Sequence, residues 1–243
     1  MIPKVIHYCW FGGKPLPRTA RKCLSSWKKV CPDYTIIRWD ESNFDVKQHS
    51  FIESAYESKA WAFVSDWARL KILYENGGIY LDTDVKLLKP LDSLLTHQSY
   101  IGVQQNGHLC TTGLGFGCVK ANPVVYDMLT MYDGLVFDWA KSDELACPYL
   151  NDAVVRARGY SGDGLGEIVE LDGLTVYPSR YLDPICPGAS QNLICDDTIS
   201  VSLYANSWGT VQKRIRRKLI NSIGTARVDS IKRMLRGYRH AGK

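Results

Sequence analysis

The 243-residue sequence is bounded first by what it lacks. Its eight cysteines (Cys9, Cys23, Cys31, Cys110, Cys118, Cys147, Cys186 and Cys195) form no C-x-x-C and no cysteine–histidine group with zinc spacing, which argues against a zinc-stapled or thioredoxin-like module. No apolar run reaches the roughly 18 residues of a membrane span. The start, MIPKVIHYCWFGG, has a short apolar run and no charged leader, so no signal peptide is expected. Scattered cysteines without a signal point to a reducing, cytoplasmic setting and free buried thiols. There is no internal repeat and no low-complexity segment.

What is there is globular in balance. Apolar residues at 45% and charged residues at 23% fit one large domain, or one domain with an appendage, around a sizeable core. The charge is uneven. From Val211 to Lys243 the chain carries a net +10, and the rest carries −5. Two basic amphipathic helices are expected there, over 209–223 and 226–238. They suit an anionic membrane surface; a docked appendage is the plainer alternative. No aromatic–basic interleaving accompanies them, so no specific nucleic-acid partner is expected.

The apolar patterning predicts an α/β order. Lys4–Trp10 reads as a buried strand, and Arg18–Val30 as a helix with Ala20, Leu24, Trp27 and Val30 on one face. Tyr34–Trp39 reads as a second strand. Helices follow at Phe51–Ser58 and Trp61–Glu75, then Asn76-Gly77-Gly78 as a left-handed cap and Ile79–Val85 as one strand. Later strands are expected at Tyr100–Gln104, Gly115–Val119, Ile168–Leu171, Leu174–Tyr177 and Ile199–Tyr204. Asn122-Pro123 opens a helix, Leu150–Ala157 forms another, Asp172-Gly173 makes a hairpin turn, and Tyr181–Asp196 reads as irregular.

The chemistry concentrates between Phe63 and Pro90. On an extended strand Asp82 and Asp84 would point to one side, and two such carboxylates repel unless a cation or proton holds them. Hard oxygen ligands suit Mg²⁺ or Mn²⁺, which commonly share carboxylates with substrate phosphates. Asp66 and Arg69, three apart on the preceding helix, are surface neighbours. D-x-D alone is a weak pattern, and a strand-end pair facing Lys86 is the plain reading of it. His7 reads as a satisfied core histidine. Gln104-Gln105-Asn106 and Asn151-Asp152 are equally readable as ligand contacts or as turn and cap residues.

The stretches IPKVIHYCWFGGKPLP, CPDYTIIRWD, AFVSDWARLKILYENGGIYLDTDV and the later NSW together resemble glycosyltransferase family 32. That group includes capsular-polysaccharide transferases and is similar to the glucosyltransferase domain of clostridial large toxins. The resemblance implies a GT-A, Rossmann-like fold over 1–209, with a central mixed sheet flanked by helices and 210–243 as a helical tail. It implies a nucleotide-sugar donor, Mn²⁺ or Mg²⁺, and retention of anomeric configuration. Residue by residue, Trp10 matches the base-stacking tryptophan. Ser65, Asp66 and Arg69 match S-D-x-x-R near the ribose, sugar and phosphates, and Tyr80 matches the tyrosine before D-x-D. Asp82 would bind donor hydroxyls and Asp84 would hold the metal. Where the family has histidines near the C-terminus, this chain has Ser202 and Leu203. Asn206 and Ser207 would supply metal oxygens instead, and Trp208 would close over the diphosphate.

The function so implied is hexose transfer, from a UDP-sugar rather than GDP-mannose, to a hydroxyl of a growing polysaccharide or lipid-linked glycan. It would occur at the inner face of a membrane held by the tail. Transfer by front-side attack and transfer through a carboxylate intermediate both remain open. The rival readings are a D-x-D phosphatase, a non-catalytic sugar-nucleotide or glycan binder, and an adaptor working through its tail.

Overall fold

The computed structural model describes residues 1–187 and 191–205. Asn206, Ser207 and Trp208 lie outside the described residues, as do both helices expected of the basic tail. The chain opens with a parallel β-α-β unit: β1 (Val5–Cys9), α1 (Arg18–Val30) and β2 (Thr35–Trp39). α1 buries Ala20, Cys23 and Trp27, while Leu24 and Val30 stay half-buried, so its inward face is turned slightly from the expected one. The Trp27 indole N–H donates to the Val85 carbonyl at 2.8 Å and fastens α1 to the chain beneath it.

α2 (Ser50–Glu57) and α3 (Trp61–Asn76) come next. α3 is buried far beyond one stripe: every residue from Val64 to Leu70 is buried, with Ile72 and Leu73. Its polar residues Ser65, Asp66 and Arg69 are therefore inside the protein and need partners there. α3 ends at Gly77, whose φ of 68° is positive as expected. Its ψ of −169° is a glycine-only extended conformation and not the left-handed helical cap. At Gly78 a Cβ would stand 2.8 Å from His7 Nε2, so this pair of glycines lets α3 turn tightly into the sheet.

The stretch expected as one strand is two. β3 (Gly78–Tyr80) belongs to the main sheet, and β4 (Val85–Leu87) pairs elsewhere. Between them a turn is closed by the Val85 N–H donating to the Asp82 carbonyl at 3.0 Å. Asp82 and Asp84 thus sit in a turn, not along an extended strand, and the same-side argument for them does not hold. The physical cause is a change of partner: β3 is pinned between two strands of the main sheet, and β4 has left it.

The remaining elements are β5 (Ser99–Val103), β6 (Cys110–Thr111), β7 (Phe116–Cys118), α4 (Pro123–Thr130), α5 (Cys147–Ala157), β8 (Val169–Leu171), β9 (Leu174–Tyr177), α6 (Ser179–Leu182) and β10 (Ser200–Ser202). Asn122 caps α4, its side-chain oxygen accepting from the Val124 N–H at 2.9 Å. α6 occupies part of the stretch expected to be irregular. Among the described residues the main sheet runs β2-β1-β3-β7-β5-β9-β8, with β6 added at β5. It is mixed: β1 is parallel to β2 and β3, and β7 is antiparallel to β3 and β5. β10 and β4 form a separate antiparallel ribbon.

Strand alternation divides the core. Ile6, Tyr8 and Trp10 pack on one face with Trp27, Ile79 and Leu81. Cys9 and Phe11 pack on the other with Tyr80 and α3. His7 is buried as a core residue. Its Nε2 is 3.0 Å from the Gly77 carbonyl and its Nδ1 accepts the Trp39 indole N–H at 3.0 Å, which fixes the proton on Nε2. Seven of the eight thiols are buried as expected, and Cys195 is exposed.

Candidate active site

Where β1 and β3 end, α3, the turn after β3, the segment after β6 and the start of α5 enclose a cavity of about 350 Å³. Its wall carries Ser65, Asp66, Arg69, Tyr80, Asp82 and Asp84, so six of the residues expected of the site are brought together. The wall holds three carboxylates against one guanidinium.

Arg69 is the hub. Its Nη2 is ion-paired with Asp66 Oδ1 at 2.9 Å and donates to Asp82 Oδ1 at 3.1 Å, and its Nε donates to the Ser65 carbonyl at 3.1 Å. Its guanidinium lies over the Tyr80 ring at 4.6 Å, and the Tyr80 hydroxyl donates to Asp82 at 3.1 Å. Burial works against the Arg69 charge, but Asp82, Tyr80 and Asp66 around it hold it protonated, above its ordinary value. Burial pushes the Asp66 carboxyl up, opposed by Arg69. It does the same at Asp82, opposed by Arg69 and the Tyr80 hydroxyl. Removing one partner from such a buried set leaves an uncompensated charge, at a cost of about 3–5 kcal/mol. Arg69 is committed to the two carboxylates, and what it does is hold them in place.

Asp84 is held by different groups. Its Oδ2 accepts the Ala205 N–H at 2.8 Å, and its carbonyl accepts the Leu203 N–H at 2.9 Å. Among the described residues no three histidine, cysteine or carboxylate side chains converge as a metal-ligand set. Mg²⁺ and Mn²⁺ bound through one or two carboxylates plus substrate phosphates need no such set. The all-oxygen character of Asp82 and Asp84, in a wall with excess negative charge, fits either ion.

Ser65 is at the wall, its hydroxyl donating to the Trp61 carbonyl at 3.0 Å. Trp10 is not. The residue before it, Cys9, faces the cavity, and the alternation of β1 sends Trp10 into the opposite core, 3% exposed, its indole N–H donating to the Lys14 carbonyl at 2.5 Å. Leu203, in a histidine's place, is 42% exposed and does not line the cavity.

Several wall residues escaped the sequence reading. Thr111 ends β6, Gly113 lies two residues on, and Cys147 and Pro148 begin α5. Gly113 has no room for a side chain: a Cβ there would stand 2.4 Å from Asp82 Oδ2 and 3.2 Å from Arg69 Nη1. The TTGLGFG stretch was a visible hint, since glycine marks close approach. Cys147 had no signal. Burial, then the Asp66 charge, pushes its thiol far up, and burial pushes Cys9 up to about 12, so neither is an activated nucleophile. Asn151 stands one layer back, accepting from Thr112 at 2.9 Å. Asp152 accepts from the Cys110 N–H at 2.9 Å and pairs with Arg156, and Gln105 donates to Asp183 and to the Gln191 carbonyl. None of these three lines the cavity.

Residues 17–101 match the sequence family described as the glycosyltransferase sugar-binding region containing the DXD motif. The match spans about a third of the chain. Inositol phosphoceramide mannosyltransferase 3 of Schizosaccharomyces pombe is 28% identical over 142 residues, 57% of this chain and 39% of that protein. Inositol phosphoceramide mannosyltransferase 1 of the same yeast is 30% identical over 107 residues, 41% of this chain and 33% of that protein. The chain thus spans well under half the length of these curated relatives. Among solved structures, the PaToxG glycosyltransferase superposes with a TM-score of 0.51 at 22% identity, over 64% of this chain and 68% of that one. That likeness shows the fold, an α/β GT-A fold with a mixed central sheet flanked by helices. Asp66, Arg69, Tyr80, Asp82 and Asp84 all fall inside the matched sugar-binding region.

Proposed function

We propose that the chain is a retaining hexosyltransferase, moving a sugar from a nucleoside diphosphate donor to a hydroxyl of a glycan or lipid-linked acceptor. The observation that carries this is the Asp66–Arg69–Asp82 network, buried at the wall of a cavity that also presents Asp84. A volume of about 350 Å³ is at the lower end of small-molecule sites. That is room on the scale of a hexose with an adjoining phosphate, so the base of the donor would sit outside it.

Asp66 and Asp82 would accept hydrogen bonds from sugar hydroxyls, oriented by Arg69 and Tyr80. A divalent cation, when bound, would offset the charge that develops on the leaving diphosphate. Asp84, with Asp82, is the group that would hold it. Asn206 and Ser207 are proposed as further oxygens and Trp208 as the cover over the diphosphate. Trp10 remains the proposed base platform, and stacking there requires its ring to be uncovered. Among the described residues the cavity wall has no histidine and no activated thiol, and its carboxylates Asp66 and Asp82 are already engaged by Arg69 and Tyr80, which favours front-side attack, with positioning and electrostatics lowering the barrier.

UDP-hexoses are the proposed donors. The mannosyltransferase names of two relatives make GDP-mannose the competitor. The basic tail would hold the enzyme on an anionic membrane surface, at the inner face, near lipid-linked acceptors. Donor hydrolysis across a panel of UDP- and GDP-sugars, with and without Mn²⁺, tests the reading. One donor should be hydrolysed only with metal, and Asp84→Asn should remove at least 90% of that rate, on the order of the losses seen when a ligand to a catalytic ion is removed. Metal-independent hydrolysis unchanged by Asp84→Asn would overturn it.

A further inference from the structure

Asp84 is reached from outside the cavity by a short strap. After β10 the chain turns at Tyr204, whose φ of 47° lies in the left-handed region that a bulky residue rarely adopts. The turn brings two successive parts of the strap onto Asp84: the Leu203 N–H to its carbonyl at 2.9 Å, and the Ala205 N–H to its carboxylate Oδ2 at 2.8 Å. Such a conformation persists only when its surroundings over-determine it. The Tyr204 hydroxyl supplies the restraint, donating to Asp183 Oδ2 at 2.5 Å. Asp183 is 0% exposed, and the same oxygen accepts the Gln105 N–H, just past β5, at 2.9 Å. The Ser202 hydroxyl accepts from the Tyr204 N–H at 3.4 Å and completes the fastening.

We propose that Tyr204 and Asp183 are positioning residues for Asp84: they anchor the 203–205 strap to the main sheet and so fix the carboxylate in the orientation a divalent cation requires. The proposal rests on the reading that Asp84 holds the cation. It assigns a role to two residues remote from the sugar-binding network. Asp183 does not touch the cavity, and Tyr204 acts through the backbone N–H of its neighbour. Groups that orient a metal ligand from the next layer out typically change metal affinity 10–100-fold when removed.

The test is Mn²⁺ binding by the full chain, with free Mn²⁺ counted by electron paramagnetic resonance in the presence of UDP and, in parallel, of GDP. Tyr204→Phe keeps the ring and removes only the hydroxyl. It should weaken Mn²⁺ binding about tenfold, with circular dichroism staying native. Asp183→Ala should weaken it as much, and the double variant no more than either alone, because both cut one strap. Asp183→Asn keeps an oxygen able to accept both bonds and should recover most of the loss. In steady state the KM for Mn²⁺ should rise while the KM for donor at saturating Mn²⁺ stays constant, a split that general loosening of the fold would not produce. If Asp84→Asn lowers Mn²⁺ affinity but folded Tyr204→Phe does not, the positioning role is overturned and the functional reading stands. If Asp84→Asn binds Mn²⁺ like the parent chain, the reading of Asp84 fails and takes the proposal with it. Should Asp183→Ala fail to fold, Tyr204→Phe decides alone.

Discussion

At the scale of single residues, the cavity depends on an atom that is absent. Gly113 carries no Cβ, and the space one would take is filled by Asp82 Oδ2 and Arg69 Nη1. Gly113→Ala should displace both groups. Small misplacements of this kind cost about a hundredfold in rate, so kcat should fall by that order while circular dichroism stays native. His7 sets a second test. Burial lowers its pKa from 6.5 to about 4, so the folded state holds it neutral where the unfolded chain would take a proton. Above pH 6.5 both states are neutral and His7 contributes no pH dependence. As pH falls from 6.5 to 4 the unfolded state binds more protons, and about 3 kcal/mol of stability should be lost. His7→Gln, which can still donate to Gly77, should flatten that slope in urea titrations at pH 5 and 7. The core role of His7 was legible in its place inside an apolar strand; its two bonding partners, Gly77 and Trp39, were not.

At the scale of elements, the local signals were reliable and the pairing signals were not. α1 falls on the residues that its apolar spacing predicts, and the parallel β1-α1-β2 unit follows from it. The stretch from Ile79 to Val85 reads as one strand because every residue before Asp82 is apolar. Whether a strand continues depends on which neighbour it can pair with, and that is a property of distant chain. Here β4 finds β10, 113 residues on from Leu87 to Ser200. The carboxylates therefore stand in a turn, each with its own support. The S-D-x-x-R and D-x-D residues were legible and do meet. The wall from Thr111 to Gly113 and from Cys147 to Pro148 was not, because no spacing links those short segments to α3. Trp10 is the instructive case. Period-2 alternation along β1, a property of the residue order alone, sends it to the face opposite Cys9.

At the scale of the whole molecule, the proposed division of labour is between a negatively biased cavity that does the chemistry and a basic tail that would hold a membrane surface. Removing residues 211–243 should leave transfer to a soluble acceptor within about twofold, while cosedimentation with anionic vesicles should fall at least fivefold; surface attraction is worth about 1 kcal/mol for each basic residue near the membrane. Loss of transfer to the soluble acceptor would instead tie the tail to the chemistry itself.

The uneven burial of the thiols has a practical side. Cys195 is exposed while the other seven are shut away, most of them raised by burial. A maleimide dye should therefore attach at one place without any substitution. That place lies on the loop between α6 and β10, five residues before the strand that leads into the strap on Asp84. The unaltered protein supplies its own reporter beside the strap that holds Asp84.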